Sequence, residues 1–220
     1  MSTCLVGSEM CIRDRLTEPS LDELDNIERH NIDLTVYNDF FIDGLEESGK
    51  EFSTHLKIDT GMHRVGCEPE DFKNLYNKIK KSKTINLAGI CTHFPLADEK
   101  IEPTQESIEL FKETIKDIDL DDLLIHADNS GSSFYNFDPT FNLSRVGLTV
   151  YGCNITPAEV NQDFKPTMAI KTRISNINYR KKGEAVSYGK ALTLERDTTV
   201  GVSPIGYGDG YPWSTFPDGK

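Results

Sequence analysis

The stretch EFSTHLKIDTGMHRVGCEPEDFKNLYNKIKKSKTINLAGICTHF, residues 51–94, carries the pattern that decides the fold. Residues 51–61 predict a strand that runs into a glycine turn. Residues 68–81 are amphipathic, with acidic side chains in the first turn and lysines in the last, as the dipole of a helix favours. Residues 84–94 predict a second, apolar strand. A strand, a helix and a strand of these lengths predict a βαβ unit, and therefore a parallel sheet.

The same alternation continues on both sides of this unit. Helical patterns cover 21–31, 40–50 and 104–118, a β-branched strand pattern covers 32–39, and two stretches close the series at 122–129 and 141–152. Polar residues capable of chemistry follow the predicted strands, at 57–64, 92–98, 126–130 and 145–151. A (β/α)8 barrel builds its active site at that face. A doubly wound open sheet would give a similar pattern, so periodicity alone leaves both folds open.

The two ends of the chain differ from this middle part. Residues 1–15 have no periodicity and resemble translated adaptor sequence, so we expect a leader that is foreign to the fold. The alternation ends near Pro157, short of the ~250 residues of a typical complete barrel. After Lys165, short alternating strands and turn glycines predict the start of a mostly β domain. We therefore expect a partial barrel domain at 16–160 and a partial β domain at 161–220.

Composition excludes several classes of function. Acidic residues outnumber basic ones by 36 to 24, which gives a net charge of -12 and disfavours binding to nucleic acid. No apolar stretch approaches the roughly 20 residues needed to span a bilayer, and no secretory signal is present, so we expect a cytoplasmic protein without membrane contacts. The five cysteines show no spacing suited to zinc, and we expect reduced thiols and no metal site.

Four segments together resemble the signature segments of alanine racemases. They are KIDTGMHRVG (57–66), THFPLAD (92–98), HADNSGSSFYNFDPTFNLSRVGLTVYG (126–152) and VSYGKALTLERDTTVGVSPIGYGDGYP (186–212). The resemblance covers nearly everything from Thr17 to Trp213. It implies a partial (β/α)8 TIM-type barrel that binds pyridoxal 5'-phosphate, followed by the start of a mostly β C-terminal domain. It also implies interconversion of L-alanine and D-alanine by a two-base mechanism, which supplies D-alanine for peptidoglycan.

The resemblance assigns cofactor-binding roles to several residues, and it also places two of them, Arg145 and His93, among the catalytic residues. Arg145 matches the arginine that faces the pyridine nitrogen of the cofactor; a guanidinium only donates hydrogen bonds, so it keeps that nitrogen unprotonated. His93 matches a histidine in the network around that arginine. The positions that match the surroundings of the phosphate are Asn129, Ser130, Gly147 and Leu148.

Further residues match catalytic positions of the family. Arg64 matches the arginine near the substrate carboxylate, and Lys57 matches a lysine that many members carry as a carbamate. Tyr188 matches the second catalytic base, which acts in the active site of the partner subunit, so the complete enzyme is expected to be a homodimer. Tyr207 matches an interface tyrosine at the mouth of the substrate channel.

One expected element is absent from these 220 residues. The family's lysine that forms a Schiff base with the cofactor lies in a segment resembling VKANAYGHG, and no such segment occurs here. We therefore expect this chain to be an internal fragment that is inactive alone. The alternatives are a broader amino-acid racemase, an ornithine or diaminopimelate decarboxylase of the same fold, or a non-catalytic protein that binds pyridoxal phosphate. The segments GMHRVG, VSYG and GYGDGYP favour a racemase over a decarboxylase, and the β domain disfavours a small carrier.

Overall fold

The protein is described by a computed structural model at residues 14–135, 138–153, 155 and 164–211. It divides into two compact units, and the boundary between them lies between Thr167 and Met168. The domain boundary that the sequence predicts, between residues 160 and 161, lies outside the described residues. Residues 1–13 of the predicted leader also lie outside them.

The first unit contains a parallel sheet whose strands alternate with helices along the chain. Its strands are β1 (Asp14–Arg15), β2 (Asp33–Val36), β3 (Phe52–Lys57), β4 (Ile85–Cys91) and β5 (Leu124–His126). Its helices are α1 (Leu24–His30), α2 (Asp39–Glu47), α3 (Pro69–Lys81) and α4 (Ile101–Ile115). Strand β1 pairs with β2, so the last two residues of the predicted leader belong to the sheet.

The order of the strands distinguishes a barrel from an open sheet. The five strands lie side by side in chain order, β1-β2-β3-β4-β5, and every neighbouring pair is parallel. A doubly wound sheet reverses its order at a switch point, whereas a barrel adds each strand on the same side. The described strands therefore form part of a (β/α)8 barrel, as the resemblance implies.

Helix α3 shows how the sequence specifies these elements locally. Pro69 occupies the first turn, where a missing backbone N–H costs nothing, and Glu70 and Asp71 follow it. Phe72, Leu75 and Ile79 fall on one face of the helix and are buried. They join one apolar cluster with residues from the strands, such as Leu34, Leu56 and Ile90, and this cluster holds the helices against the sheet.

The stretch 141–152 differs from a strand. Residues 141–147 run without regular secondary structure beside β5, and Leu148–Tyr151 form a single 3-10 turn. The Asn142 side chain supplies a hydrogen bond that a neighbouring strand would otherwise make, because its Oδ1 accepts from Ile125 N at 2.8 Å. The Arg145 backbone N–H then donates to the Asp128 carbonyl at 2.8 Å. These two contacts fix Arg145 beside the end of β5.

The second unit is built from antiparallel strand pairs in its described part. Strand β6 (Asn176–Arg180) pairs with β9 (Thr198–Val202), and β7 (Ala185–Val186) pairs with β8 (Leu192–Thr193). The helical segments described between residues 168 and 211 are short 3-10 turns. This agrees with the mostly β character that the sequence predicts after Lys165. Among the described helices of the whole chain, none combines the length and the apolar character needed to cross a bilayer.

A substitution in the core tests the packing of the first unit. Leu56 on β3 has no exposed surface, so Leu56→Ala should lower the free energy of unfolding by about 2–5 kcal/mol. Leu110→Ala on α4 is the matched control, since this leucine is 42% exposed, and its effect should stay within about 0.5 kcal/mol. Urea unfolding followed by far-ultraviolet circular dichroism measures both, and equal losses for the two variants would contradict the core assignment.

Candidate active site

Side chains capable of acid–base or binding chemistry lie together at the carboxyl ends of three neighbouring strands. Lys57 is the last residue of β3, His93 lies two residues after β4, and His126 is the last residue of β5. Parallel strands bring these ends to one edge of the sheet, which is the catalytic face of a (β/α)8 barrel. The structure thus collects residues that are up to 69 positions apart in the sequence at one edge (126 − 57 = 69).

The guanidinium of Arg145 is the centre of this edge. Its Nη1 donates to His126 Nδ1 at 2.6 Å, and its Nη2 contacts His93 Nδ1 at 3.2 Å. Nη2 also donates to the carbonyl oxygens of Thr92 at 2.7 Å and Ala127 at 3.3 Å. Because a guanidinium has no acceptor, both Nδ1 atoms must receive these bonds with their lone pairs. His93 and His126 therefore carry their protons on Nε2.

Burial and charge keep both of these histidines neutral. Burial, followed by the charge of Arg145, lowers the pKa of His126 to about 2. The same two causes lower the pKa of His93 to about 4. Their rings thus act as neutral acceptors at physiological pH, and the arginine remains the charged member of the group.

Lys57 is an unusual residue for the end of a core strand, because it is only 6% exposed. Burial is the main reason that the pKa of Lys57 is lowered, and the nearby charges of Arg145 and Arg64 lower it further. A lysine in this position releases its proton more readily than one in water, and its neutral amine is a nucleophile.

The loop after β3 is shaped by the carboxylate of Asp59. It accepts hydrogen bonds from the backbone N–H groups of Gly61, His63 and Arg64 at 2.9, 3.0 and 3.2 Å. Gly61 has a φ of 126° and His63 a φ of 51°, so the loop folds back through conformations that L-residues avoid. The side chain of Arg64 is exposed at the end of this turn. Asp59 therefore sets the direction in which Arg64 leaves the backbone.

A second group of residues lies after β5. The buried Ser130 hydroxyl accepts from Gly147 N at 2.9 Å. A Cβ at Gly147 would meet nothing within 4 Å, so open space adjoins this backbone segment and the exposed Leu148. Asn129 holds the turn together, since its Oδ1 accepts from the N–H groups of Gly131 and Ser132 at 2.9 and 3.1 Å. The Ser130 hydroxyl accepts one hydrogen bond and keeps its own proton to donate, and a hydroxyl donor beside open space suits an anion such as a phosphate.

The two predicted tyrosines belong to the second unit. Tyr188 begins a 3-10 turn after Ser187, which has a φ of 72°, and 91% of its surface is exposed within the described part of the chain. Tyr207 begins another 3-10 turn and is 63% exposed. The roles that the resemblance gives to these two residues remain predictions.

His126 and Asp59 are also members of this site, although the sequence patterns did not single them out. Both lie in quoted segments, HADNS and KIDTG, but neither was given a role. His126 could have been found as a histidine at the end of an apolar strand, directly before the predicted phosphate segment. Asp59 could have been found as an acidic residue two positions before a glycine in a turn, where aspartate commonly accepts backbone hydrogen bonds.

The chain is similar in sequence to alanine racemases. The profile described as "Alanine racemase, N-terminal domain" matches residues 12–155, and the profile "Alanine racemase, C-terminal domain" matches residues 167–219. The chain is 36% identical over 208 residues to the alanine racemase of Treponema denticola, covering 89% of this chain and 55% of that protein. The chain thus spans about half the length of the curated relatives it matches.

Solved structures agree with these profiles. The alanine racemase of Clostridium difficile 630 superimposes with a TM-score of 0.77 at 27% identity, over 90% of this chain and 55% of that one. The histidine racemase of Leuconostoc mesenteroides gives a TM-score of 0.79 at 24% identity, over 91% of this chain and 56% of that one, and shows a shared fold.

The depressed pKa of His126 makes stability depend on pH. Unfolded His126 binds a proton below about pH 6.5, whereas the folded ring stays neutral down to about pH 2. The contribution of His126 to stability is therefore complete above pH 6.5 and is lost as the pH falls. Between pH 6 and pH 5 this loss should amount to about 1 kcal/mol per pH unit. Urea unfolding of the parent and of His126→Gln measures it: the variant should have the shallower slope, and parallel curves would contradict a buried neutral imidazole.

Proposed function

The chain belongs to the alanine racemase family, and on that premise we propose that the whole protein interconverts L-alanine and D-alanine with pyridoxal 5'-phosphate as its cofactor. The reaction is expected in the cytoplasm, where D-alanine is supplied for peptidoglycan. The single observation that carries the proposal is the Arg145 guanidinium held by two neutral histidines at the catalytic edge of a partial barrel. Because the chain spans about half the length of its relatives, the activity is proposed for the intact gene product.

The residues of the first unit fit this cofactor. Open space at Gly147 lies beside the hydroxyl of Ser130, and a hydroxyl that can still donate its proton suits a phosphate dianion. Asn129 and Leu148 complete this side of the site, the first by holding the turn and the second by its exposed position. When bound, pyridoxal phosphate supplies a ring that withdraws electrons from the α-carbon of an amino acid.

Arg145 is the residue that tunes the cofactor ring. A guanidinium stays protonated at every physiological pH and offers only donors, so a pyridine nitrogen facing it is held as an acceptor. His93 and His126 prevent the arginine from turning away, since each receives one of its N–H groups. A neutral pyridine withdraws fewer electrons than a protonated one, and this favours proton exchange over side reactions of the amino group.

Arg64 is proposed to bind the substrate carboxylate, and Lys57 is proposed to pair with that arginine. Arg64 presents a planar pair of donors, which matches the two oxygens of a carboxylate. Lys57 is proposed to carry a carbamate, and its lowered pKa supports this because only the neutral amine reacts with carbon dioxide. The modification would replace a positive charge by a negative one and so turn the contact with a nearby arginine from repulsive to attractive.

Tyr188 is proposed as the base that holds and moves the α-proton at its phenol oxygen on the L-alanine side. By the resemblance, Tyr188 serves the active site of the partner in a homodimer, and Tyr207 lies at the mouth of the channel. The exposure of both side chains within their own unit supports a role outside that unit.

A direct assay tests the proposal. The intact gene product, supplied with pyridoxal phosphate, should convert L-alanine to D-alanine and the reverse, as detected by chiral chromatography. L-Ornithine and diaminopimelate serve as alternative substrates, and release of carbon dioxide from either would identify a decarboxylase instead. Equal rates with alanine and with larger amino acids would identify a broad racemase, and absence of reaction with every amino acid would reject an enzymatic function.

The Tyr188→Phe variant tests the two-base assignment. It removes the ionisable oxygen and keeps the ring, so exchange of the α-proton with deuterated water should fall far more for L-alanine than for D-alanine. Tyr179→Phe is the matched control, since Tyr179 lies in the same unit and is 81% exposed. Proton magnetic resonance follows the exchange. Parent-like exchange into both enantiomers in Tyr188→Phe would show that this tyrosine is not a base.

A further inference from the structure

A line of polar side chains runs from Arg145 through two buried histidines to Asp33. His126 Nδ1 accepts a hydrogen bond from Arg145. The other ring nitrogen, His126 Nε2, lies 2.8 Å from His55 Nδ1. The two rings meet edge to face, with centroids 4.9 Å apart and planes at 75°. His55 Nε2 in turn lies 3.8 Å from Asp33 Oδ2, at the start of β2. The line therefore joins Arg145 at the catalytic edge to Asp33 at the start of β2.

The hydrogen bonds of this line have one direction. Arg145 can only donate, so the neutral His126 must carry its proton on Nε2 and donate it to His55 Nδ1. His55 then carries its own proton on Nε2, which faces the carboxylate of Asp33. A donor-only guanidinium at one end and an acceptor-only carboxylate at the other thus specify both tautomers. At 3.8 Å the carboxylate acts through its charge more than through a short hydrogen bond.

The sheet has been adapted to let the two rings touch. His55 belongs to β3 and His126 to β5, and β4 lies between them. The β4 residue opposite His55 is Gly89, which is brought there by a shift of register after Thr54. A Cβ at Gly89 would lie 2.4 Å from His55 Nδ1 and 2.5 Å from the carbonyl oxygen of Leu124. Only a glycine at this position leaves room for the pair.

Stability alone does not account for this arrangement. His55 is 3% exposed and His126 1%, and burying two imidazoles in an apolar core costs free energy that hydrophobic residues would not cost. The glycine in the middle of β4 weakens the strand further. Such features are retained where an ordered polar network serves a site.

We propose that Asp33 and His55 are positioning residues for Arg145, and that Gly89 leaves the space in which the rings of His55 and His126 touch. Asp33 orients His55, His55 orients His126, and His126 fixes the guanidinium at the catalytic edge. The network itself is independent of the proposed function, whereas its effect on the cofactor rests on it. The expected effect is an arginine with one orientation, held ready before the cofactor binds.

The first experiment examines the network without cofactor. The intact protein is labelled with nitrogen-15 in its histidines, and long-range correlation spectra report the tautomer of each ring. His55 and His126 should both carry a proton on Nε2 and leave Nδ1 as an acceptor. Asp33→Asn keeps the shape and removes the charge, and it should change the nitrogen shifts of His126, which lies one ring away from the substitution. His30→Gln, on the exposed side of α1, is the control and should change neither ring.

The second experiment measures the consequence for the site. His55→Phe and Asp33→Asn should each lower kcat for alanine on the order of tenfold, the scale typical of losing an outer hydrogen-bond partner, with KM for alanine nearly unchanged because Arg64 is untouched. The absorption spectrum of bound pyridoxal phosphate should shift in both variants. If the Gly89→Ala variant folds, it should show the same loss of kcat. If it does not fold, the His55→Phe and Asp33→Asn variants test the positioning role.

The outcomes separate the two proposals. If the parent protein is not a racemase, the proposed function fails, and the tautomers of His55 and His126 still decide whether the network exists. A proton on Nδ1 of either ring would overturn the network. Nitrogen shifts of His126 that are the same in the parent and in Asp33→Asn would also overturn it. Correct tautomers together with parent-like kcat and an unchanged cofactor spectrum would show that the line is only structural and would overturn the positioning role.

Discussion

The contact between the Arg145 guanidinium and two neutral imidazoles is the interaction on which the rest of the site depends. Arg145 comes from a segment without regular structure, so its direction is not set by a strand or a helix. It is set by hydrogen bonds to His126, His93 and two backbone carbonyls. Those bonds require unprotonated Nδ1 atoms, and burial supplies that condition by lowering the pKa of both histidines. A change that charged either ring would place two cations in contact and release the arginine.

The fold makes this contact possible because each strand of a parallel sheet contributes its end to the same edge. Strand β3 ends in Lys57, β5 ends in His126, and the segment after β4 supplies His93. The apolar faces of the helices pack against the strands in one cluster and hold the strands together. Ser130 and Gly147 lie after β5 and are joined by a hydrogen bond of 2.9 Å between the backbone N–H of Gly147 and the Ser130 hydroxyl.

The parts of this arrangement that sequence could predict are those written in local patterns. Helix α3 was predictable from its apolar face, its proline and its terminal charges. The cofactor roles of Arg145 and Ser130 stay predictions that rest on motifs resembling a family. The stretch 141–152 was harder, because Asn142 bonds to β5 with its side chain and a residue pattern does not reveal such a contact. His55 and His126 are 71 positions apart and Gly89 stands between their strands, so only the register of the sheet shows that they meet. A lone glycine in an apolar strand was the one available signal.

The central claim is that the carboxyl edge of these strands holds pyridoxal phosphate with its ring nitrogen at Arg145 and its phosphate at Ser130. A crystal structure of the intact protein soaked with the cofactor tests it most directly. The account predicts a guanidinium nitrogen of Arg145 within hydrogen-bond distance of the pyridine nitrogen, and phosphate oxygens within the same distance of the Ser130 hydroxyl and the backbone N–H beside Gly147. A cofactor bound elsewhere, or an acidic side chain facing its ring nitrogen, would contradict the account.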